Sequence, residues 1–374
     1  MTVALVTHNV LRGDGQGRVN YELTQYLLER GVDVTLVADQ VASELQERGA
    51  TWIPVELSRF ERTAALFKVW GFARRADRIL REIRGDVDVI IGCGVTLGVP
   101  HDINVVHFSY GGWRRSPYHA IRTNPSLNSA YQWVFTIAND RWERETLRNA
   151  RRVVAVSQMV KDELLASGFS GDSIDVVING VDTDEFRPGP ADRDVLGLPE
   201  EVPLGLFVGD LHLPIKNPDG MLRALSDVPE AHLAVAGSLE GSFLPGLAKQ
   251  LGVGDRVHFL GFRRDIPALM RAVDFFALPS RRDSCPLALL EALASGLPAV
   301  VTQNVGTSHL VDRNAGFVVD SPNDHQGLAA AIRRLVTSPD LRQRLGANAR
   351  EVAEEHSWED AMSRYYHLTK DMAQ

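Results

Sequence analysis

Cysteine is almost missing from this chain: Cys93 and Cys285 are the only two in 374 residues. Two thiols cannot build a metal centre by themselves, and so few in a chain this long fit a reducing, cytoplasmic setting rather than a disulfide framework. Long apolar runs are missing too, with none near the roughly 20 residues of a membrane span. The opening MTVALVTHNV lacks a charged leader and a cleavage site, so it reads as a first strand. No short repeat occurs. What is present is a globular composition, 44% apolar and 24% charged, at a length that predicts about two domains. The net charge of −8 is unevenly spread: residues 1–170 carry 21 basic and 19 acidic groups, residues 171–374 carry 19 and 29. A mildly basic first half suits an anionic acceptor or membrane surface, or is simply a solvated arginine face. No nucleic-acid partner is expected.

Hydrophobic periodicity alternates strand with helix from the start. Val3–Thr7 is a β-branched run, HNVLRGDGQGRVN a loop, YELTQYLLERG an amphipathic helix stopped by Gly31, and VDVTLVAD the next strand. This is a βαβ unit with a glycine-rich turn, and Asp39 lies where a ribose-binding acid of a dehydrogenase would. The G-x-G-x-x-G frame fails, however. Begun at Gly13 it puts Arg18 in the third glycine place, and begun at Gly15 it puts Asn20 there. RTAALFKVWGFARRADRILREIRG then reads as a helix whose Arg74, Arg75, Arg78, Arg81 and Arg84 either meet anionic lipid or face water. VDVIIGCG and INVVHFSY follow as strands, and His107 closes the second at its carboxyl end, the edge where such sheets place chemistry. GGWRRSPYHAIRTNPSLN reads as an interrupting loop whose Arg114 and Arg115 would favour an acidic acceptor. Asp182 and Asp184 form a D-x-D, read as a hinge-side turn and not as a metal pair.

Residues 187–203, RPGPADRDVLGLPEEVP, are rich in proline, glycine and charge and read as a linker. The expected domains are 1–186, joined by a terminal helix at 357–374, and 204–356. In the second, PSRRDSCPLALLEALASGLPAVV (279–301) reads as strand end, polar loop, short helix and strand. Pro286 suits a first helical turn, and Gly296 with Pro298 stops the helix. Asp283 and Glu291 bracket the unit. An anion at the helix start would meet the amides of Leu287 and Ala288 and the positive end of the macrodipole. Carboxylates that accept from hydroxyls beside an anion site suit a nucleotide sugar. Taken without that ligand, Asp283 is a helix cap and Glu291 a solvated helix residue.

D-x7-E followed by ALASGLPAV resembles the E-x7-E signature of the retaining glycosyltransferases of family four, with Asp in the first place. GQGRVNYELTQYLLERGVDVTLV is similar to that family's first motif, and the likeness extends from residue 3 to about 370. It implies an α/β chain of the GT-B fold, two Rossmann-like parallel-sheet domains facing across a cleft, with the acceptor on the first and a nucleoside-diphosphate sugar on the second. By resemblance, Asp283 approaches the donor sugar, His107 approaches the donor sugar or the acceptor, Glu291 holds the ribose, and Phe262 and Arg263 meet the base. The loop and helix start at Ser284, Cys285, Pro286, Leu287 and Ala288 line the donor, and Gly15 and Gly17 let backbone amides near its phosphates. The family clamps the diphosphate with an Arg and a Lys in a G-R…K-G pattern. VGDLHLPIKN supplies Lys216, but Asp210 stands in the arginine place and Asn217 in the glycine place, so either His212, Arg281 or Arg18 compensates, or the enzyme is weak, or it binds without turning over. The expected reaction is metal-independent transfer of a sugar, with retention, to a hydroxyl of a glycan, lipid-linked or small acceptor. The rivals are a non-catalytic nucleotide-sugar binder and a GT-B hydrolase or epimerase.

Overall fold

The computed structural model describes Met1–Gln374 apart from His212 and Leu213. The chain forms two compact units, Met1–Asn179 with Trp358–Gln374, and Gly180–Ser357. In the first, the elements run β1 (Thr2–Val10), α1 (Gly15–Glu29), β2 (Asp33–Val41), α2 (Ser43–Glu47), β3 (Thr51–Pro54), α3 (Ala65–Ile83), β4 (Val89–Cys93), β5 (His101–Val106), α4 (Tyr110–Arg115), α5 (Ala120–Thr123), α6 (Leu127–Arg148), β6 (Ala150–Ala155), α7 (Gln158–Leu165) and β7 (Ile174–Val176). The second holds β8 (Leu204–Val208), α8 (Pro218–Ser226), β9 (His232–Ala236), α9 (Leu244–Gln250), β10 (Val257–Gly261), α10 (Ile266–Ala272), β11 (Phe275–Leu278), α11 (Leu287–Ala294), β12 (Ala299–Thr302), α12 (Ser308–Val311), β13 (Gly316–Val319), α13 (His325–Thr337) and α14 (Pro339–Glu354). α15 (Trp358–Met372) belongs to the first unit.

Both sheets are parallel, ordered β3-β2-β1-β4-β5-β6-β7 and β10-β9-β8-β11-β12-β13. Parallel strands covered on both faces must be apolar throughout. VIIGC in β4 and FFAL in β11 are accordingly buried at every position. Leu5 of β1 lies in register with Leu36 on one side and Ile91 on the other. Against this layer α3 packs Phe72, Ala76 and Leu80, forming one core with Ala4, Val6 and Val37. In each sheet the strand order reverses once, between β1 and β4 and between β8 and β11. The crevice outside the carboxyl ends of those strands is where α/β sheets bind ligands.

Three local readings are corrected. The glycine-rich segment is not all loop: α1 starts at Gly15, so GQGRVN is helical. GGWRRSPYHAIRTNPSLN contains α4 and α5, fixed by caps from Ser109 and His119 that the composition concealed. Residues 187–203 are not a free linker, because the units divide at Asn179/Gly180 and this stretch is bonded into the second one. The Arg193 guanidinium donates to the carbonyls of Ala272 (2.6 Å), Glu200 (3.0 Å) and Val202 (2.8 Å) and pairs with Asp274 (2.9 Å). Proline and glycine there shape a bonded strap. Arg193→Ala strips a charged donor from several carbonyls at once, so urea unfolding of the second unit should show a loss of about 2–4 kcal/mol. A loss within the ordinary surface range of about 0.5 kcal/mol would mean the strap is a passive linker.

Candidate functional site

The loops after β8 and β11 meet at the reversal point of the second sheet. Lys216, at the end of a 3-10 turn, forms an ion pair and hydrogen bond with Asp283, so the ammonium is held three residues ahead of Pro286, the N-cap of α11. Pro286, which has no polar side chain, makes no cap bond to that helix. Leu287, Ala288 and Glu291 form its half-exposed face, while Leu289, Leu290, Ala292, Leu293 and Ala294 are buried. The Asp283 backbone is fixed as well: its N–H donates to Asn304 O (3.0 Å), and Gly306 N–H donates to its carbonyl (2.8 Å). Ser284 and Cys285 are buried, and the Ser284 hydroxyl has no hydrogen-bond partner among the described residues. A fixed ammonium, the amides that begin α11 and a buried hydroxyl together make an anion-ready edge.

Asn217 explains its own presence in the glycine place. It adopts φ 59°, ψ 41°, the left-handed conformation that glycine and asparagine accept most readily. Fully buried, it caps α8 through Gly220 N–H (3.2 Å) and donates to Pro279 O (2.9 Å) and Pro322 O (2.8 Å). Those bonds tie the Lys216 loop to the segment that opens the Asp283 loop. A feature that sequence reasoning passed over is the glycine that ends or follows β8, β9 and β10: Gly209, Gly237 and Gly261. Gly209 N–H donates to Ala236 O (3.1 Å), Gly237 N–H donates to Gly261 O (2.9 Å), and a Cβ on Gly237 would stand 2.2 Å from Gly209 O. The repeated V-G-D, A-G-S and L-G-F at three strand ends was the available signal.

Phe262 and Arg263 follow β10. Phe262 is 71% exposed, and Arg263 is held by Asp265 at 2.7 and 2.5 Å. β10 lies three strands from β11, about 14 Å away at the usual interstrand spacing, a span that an extended nucleoside diphosphate can bridge. Of the residues proposed to replace the missing arginine, Arg281 is bound bidentately by Asp219 (3.0 and 2.8 Å) and Arg18 pairs with Glu22 (2.6 Å); His212 lies outside the described residues. In the D-x-D, the Asp182 carboxylate accepts from Asp184 N–H (3.0 Å) and Glu185 N–H (2.9 Å), which makes it the cap of a turn.

The first unit has its own edge at the ends of β1, β4 and β5. Asp14 precedes α1 and accepts from Asn9 (2.7 Å). A Cβ on Gly17 would come within 2.9–3.2 Å of Asp14 and Leu11, so this position must be glycine, whereas Gly15 has open space. His107 has an imidazole pKa pushed down to about 4 by burial, against the partial opposition of Asp14. His8, which the sequence reading missed although it closes VTH as His107 closes VVH, is likewise lowered to about 4 by burial and by Lys68, opposed by Asp39 and Asp14. Neither His8 Nδ1 nor His107 Nε2 has a hydrogen-bond partner among the described residues. Both rings are neutral at pH 7. They can hydrogen-bond a hydroxyl, but at this pKa they are weak bases.

Arg114 pairs with Asp140 (2.7 Å), and Arg115 donates to Glu163 O (2.9 Å) and Ser167 Oγ (3.0 Å), so neither is held in reserve for an acidic ligand. The start of α4, just beyond His107, is filled by Glu143, which accepts from Tyr110 N–H (3.0 Å) and Gly111 N–H (3.2 Å). Among the α3 arginines, Arg75 pairs with Glu61 (2.8 Å) and Arg84 donates to Val87 O (3.1 Å), while Arg74, Arg78 and Arg81 are exposed. No described helix is long and apolar enough to cross a membrane.

Two Rossmann-like parallel-sheet units, with the second presenting an anion-ready edge at its reversal point, define a protein of the GT-B class. The model for Glycosyltransferase Family 4 matches residues 13–185, and that for Glycosyl transferases group 1 matches residues 189–352. The chain belongs to glycosyltransferase family 4. It is 32% identical over 235 residues to a D-inositol 3-phosphate glycosyltransferase of Saccharomonospora viridis, covering 58% of this chain and 54% of that protein. To the protein of that description from Mycobacterium marinum it is 38% identical over 201 residues, covering 50% and 42%. The matches thus span about half the length of these curated relatives. Among solved structures, WaaG, a glycosyltransferase involved in lipopolysaccharide biosynthesis, aligns with TM-score 0.80 at 19% identity, covering 98% of this chain and 99% of that one. Anabaena Alr3699/HepE in complex with UDP-glucose aligns with TM-score 0.74 at 19% identity, covering 99% and 100%.

The two neutral histidines give the first unit a pH signature. Their folded pKa values lie below the unfolded value of about 6.5, so the unfolded chain binds more protons between these limits. Stability is therefore full above pH about 6.5 and declines as pH falls toward 4, by up to about 1.4 kcal/mol per pH unit for each ring. Urea unfolding at pH 7, 6 and 5 should show a shallower decline in His107→Gln than in the unsubstituted protein. Equal slopes would show that His107 titrates normally in the fold.

Proposed function

We propose that this protein transfers a sugar from a nucleoside-diphosphate sugar to an acceptor hydroxyl, with retention of anomeric configuration and without a metal. The observation that carries the reading is the convergence of Lys216 and the start of α11 at the reversal point of the second sheet. Breaking the anomeric C–O bond leaves negative charge on the diphosphate while the sugar becomes oxocarbenium-like, so the protein's main task is preorganised positive charge at the leaving group. Lys216 and the amides of Leu287 and Ala288 supply it. Glu291, one turn further on the same half-exposed face, accepts from the ribose hydroxyls. Asp283, released from Lys216 when phosphate takes its place, accepts from the sugar. Gly237 admits the Gly209 carbonyl where a Cβ would stand, drawing together the strand ends that lie between the base, near Phe262 and Arg263, and the diphosphate.

The acceptor belongs to the first unit, where neutral His107 and His8 beside Asp14 suit a hydroxyl better than an anion. At a pKa of about 4, His107 is too weak a base to deprotonate an alcohol efficiently. This supports front-face attack, in which the departing phosphate oxygen takes the acceptor proton and His107 only orients the hydroxyl. A sugar-containing or lipid-linked acceptor fits. The exposed Arg74, Arg78 and Arg81 support a cytoplasmic protein with peripheral contact to an anionic membrane face.

The Anabaena neighbour makes UDP-glucose the first donor to try. In calorimetry with UDP, GDP and dTDP, at least one nucleotide should bind, and Glu291→Ala should weaken it by tenfold or more. Lys216→Ala should reduce turnover roughly a hundredfold, and turnover should be unchanged in EDTA. Release of nucleotide only when acceptor is present supports transfer, and release without acceptor points to a hydrolase. Wild-type nucleotide affinity in Glu291→Ala together with wild-type turnover in Lys216→Ala would refute the site.

A further inference from the structure

A cavity lies on the flank of the first unit, between α3, α6 and the loop that follows β4. Its origin is topological. β4 and β5 are adjacent parallel strands joined by residues 94–100 without a helix, so α3 and α6 leave a gap over that connection. The gap is a half-open cleft of about 210 Å³, lined by Trp70, Arg74 and Asp77 of α3, by Leu97 and Gly98, and by Trp142 and Glu145 of α6. Drug-sized pockets run to roughly 300–1,000 Å³, so this one suits a single six-membered ring.

The floor is rigid because the connecting loop is fastened on both sides. Asp77 Oδ1 accepts from Gly98 N–H (2.9 Å) and Val99 N–H (3.3 Å). From α6, Thr146 Oγ1 donates to Leu97 O (2.6 Å), and Asn149, just past the helix, donates to Gly98 O (2.7 Å). A Cβ on Gly98 would stand 2.9 Å from Asp77 Oδ2, so the carboxylate lies flush against the loop. A floor fixed in advance spares a ligand the cost of ordering it.

The lining then decides the ligand. Two indoles line the cavity, one of them, Trp70, 43% exposed, with the Arg74 guanidinium over one face at 4.5 Å from its ring centroid. Arg74 and Glu145 line the same cavity, and neither has an ion pair among the described residues. An anion would be repelled by Asp77 and Glu145, and the place a cation would take against the Trp70 indole is already filled by the Arg74 guanidinium. A neutral ring with an apolar C–H face and peripheral hydroxyls satisfies all of them: it stacks on indole, donates to the carboxylates and accepts from the guanidinium. We propose that this cavity is a carbohydrate subsite for one neutral pyranose ring, separate from the edge at which transfer is proposed and independent of that reading.

The test is ¹⁹F NMR of the full-length protein labelled with 5-fluorotryptophan. UDP is present throughout, and methyl α-glucoside, methyl α-mannoside, methyl β-galactoside and methyl N-acetyl-β-glucosaminide are added in turn. At least one glycoside should shift the Trp70 and Trp142 resonances saturably. Glu145→Gln, an exposed and conservative change, should weaken that response by tenfold or more, and Trp70→Ala should abolish the Trp142 shift. If none of the glycosides moves either resonance, or if the response survives both substitutions unchanged, the subsite is refuted. UDP affinity in the same samples bears only on the donor reading, so the two proposals fail separately.

Discussion

The ion pair between Lys216 and Asp283 is the constraint on which the second unit's chemistry depends. With 23% and 13% side-chain exposure, it is neither sealed from water nor fully screened. Partly exposed pairs of this kind contribute little net stability, on the order of 1 kcal/mol, so exchanging one partner for another is cheap. A diphosphate that takes the ammonium from Asp283 meets a cation already held near the start of α11, and it leaves behind a carboxylate free to accept from a sugar. In the proposed mechanism this one contact both stores the positive charge in position and keeps the sugar-facing acid occupied until a donor arrives. It works only because Asn217 clamps the loop before α8 to Pro279 and Pro322. It also sits where the strand order reverses, the one place on the sheet edge where neighbouring loops diverge to opposite faces.

The two edges are complementary in chemistry. The proposed reaction asks the second unit to bind an anion although Gly180–Ser357 carries 17 basic groups against 24 acidic ones. Bulk field opposes the ligand there, and only local groups, an ammonium and backbone amides, favour it. The first unit is nearly balanced overall. Its arginines at positions 114 and 115 are engaged in holding α4 against its neighbours, Glu143 fills the start of α4, and the edge holds a carboxylate with two imidazoles kept neutral by burial. In the proposed reaction, charge serves the leaving group and neutrality the acceptor.

Much of this was legible in the residues, because strands buried on both faces must be continuous apolar runs and the strand–loop–helix rhythm follows from them. The stretch from Pro279 to Val301 could be read almost residue by residue: the polar loop, the helix start after Pro286 and the stop at Gly296 all carry local signals. Legibility failed where position depends on contacts remote in sequence. Residues 187–203 have the composition of a linker and are bonded into the second unit by Arg193, whose partners at Ala272 and Asp274 are some 80 residues away. α1 begins inside a glycine-rich segment because Gly17 is needed for close approach to Asp14 and Leu11, not for a flexible turn. Asn217 looked like a departure from a glycine pattern until its left-handed backbone showed that the position selects for conformation. Composition identifies residue types that can turn or bend; only the packing says which of these freedoms is used.

The most direct measurement of the central claim is the crystal structure of the protein with UDP. The account predicts that the β-phosphate lies within hydrogen-bond distance of the Leu287 and Ala288 amides, with Lys216 turned from Asp283 onto a phosphate oxygen. Phosphates bound elsewhere, with the Lys216–Asp283 pair intact, would contradict it.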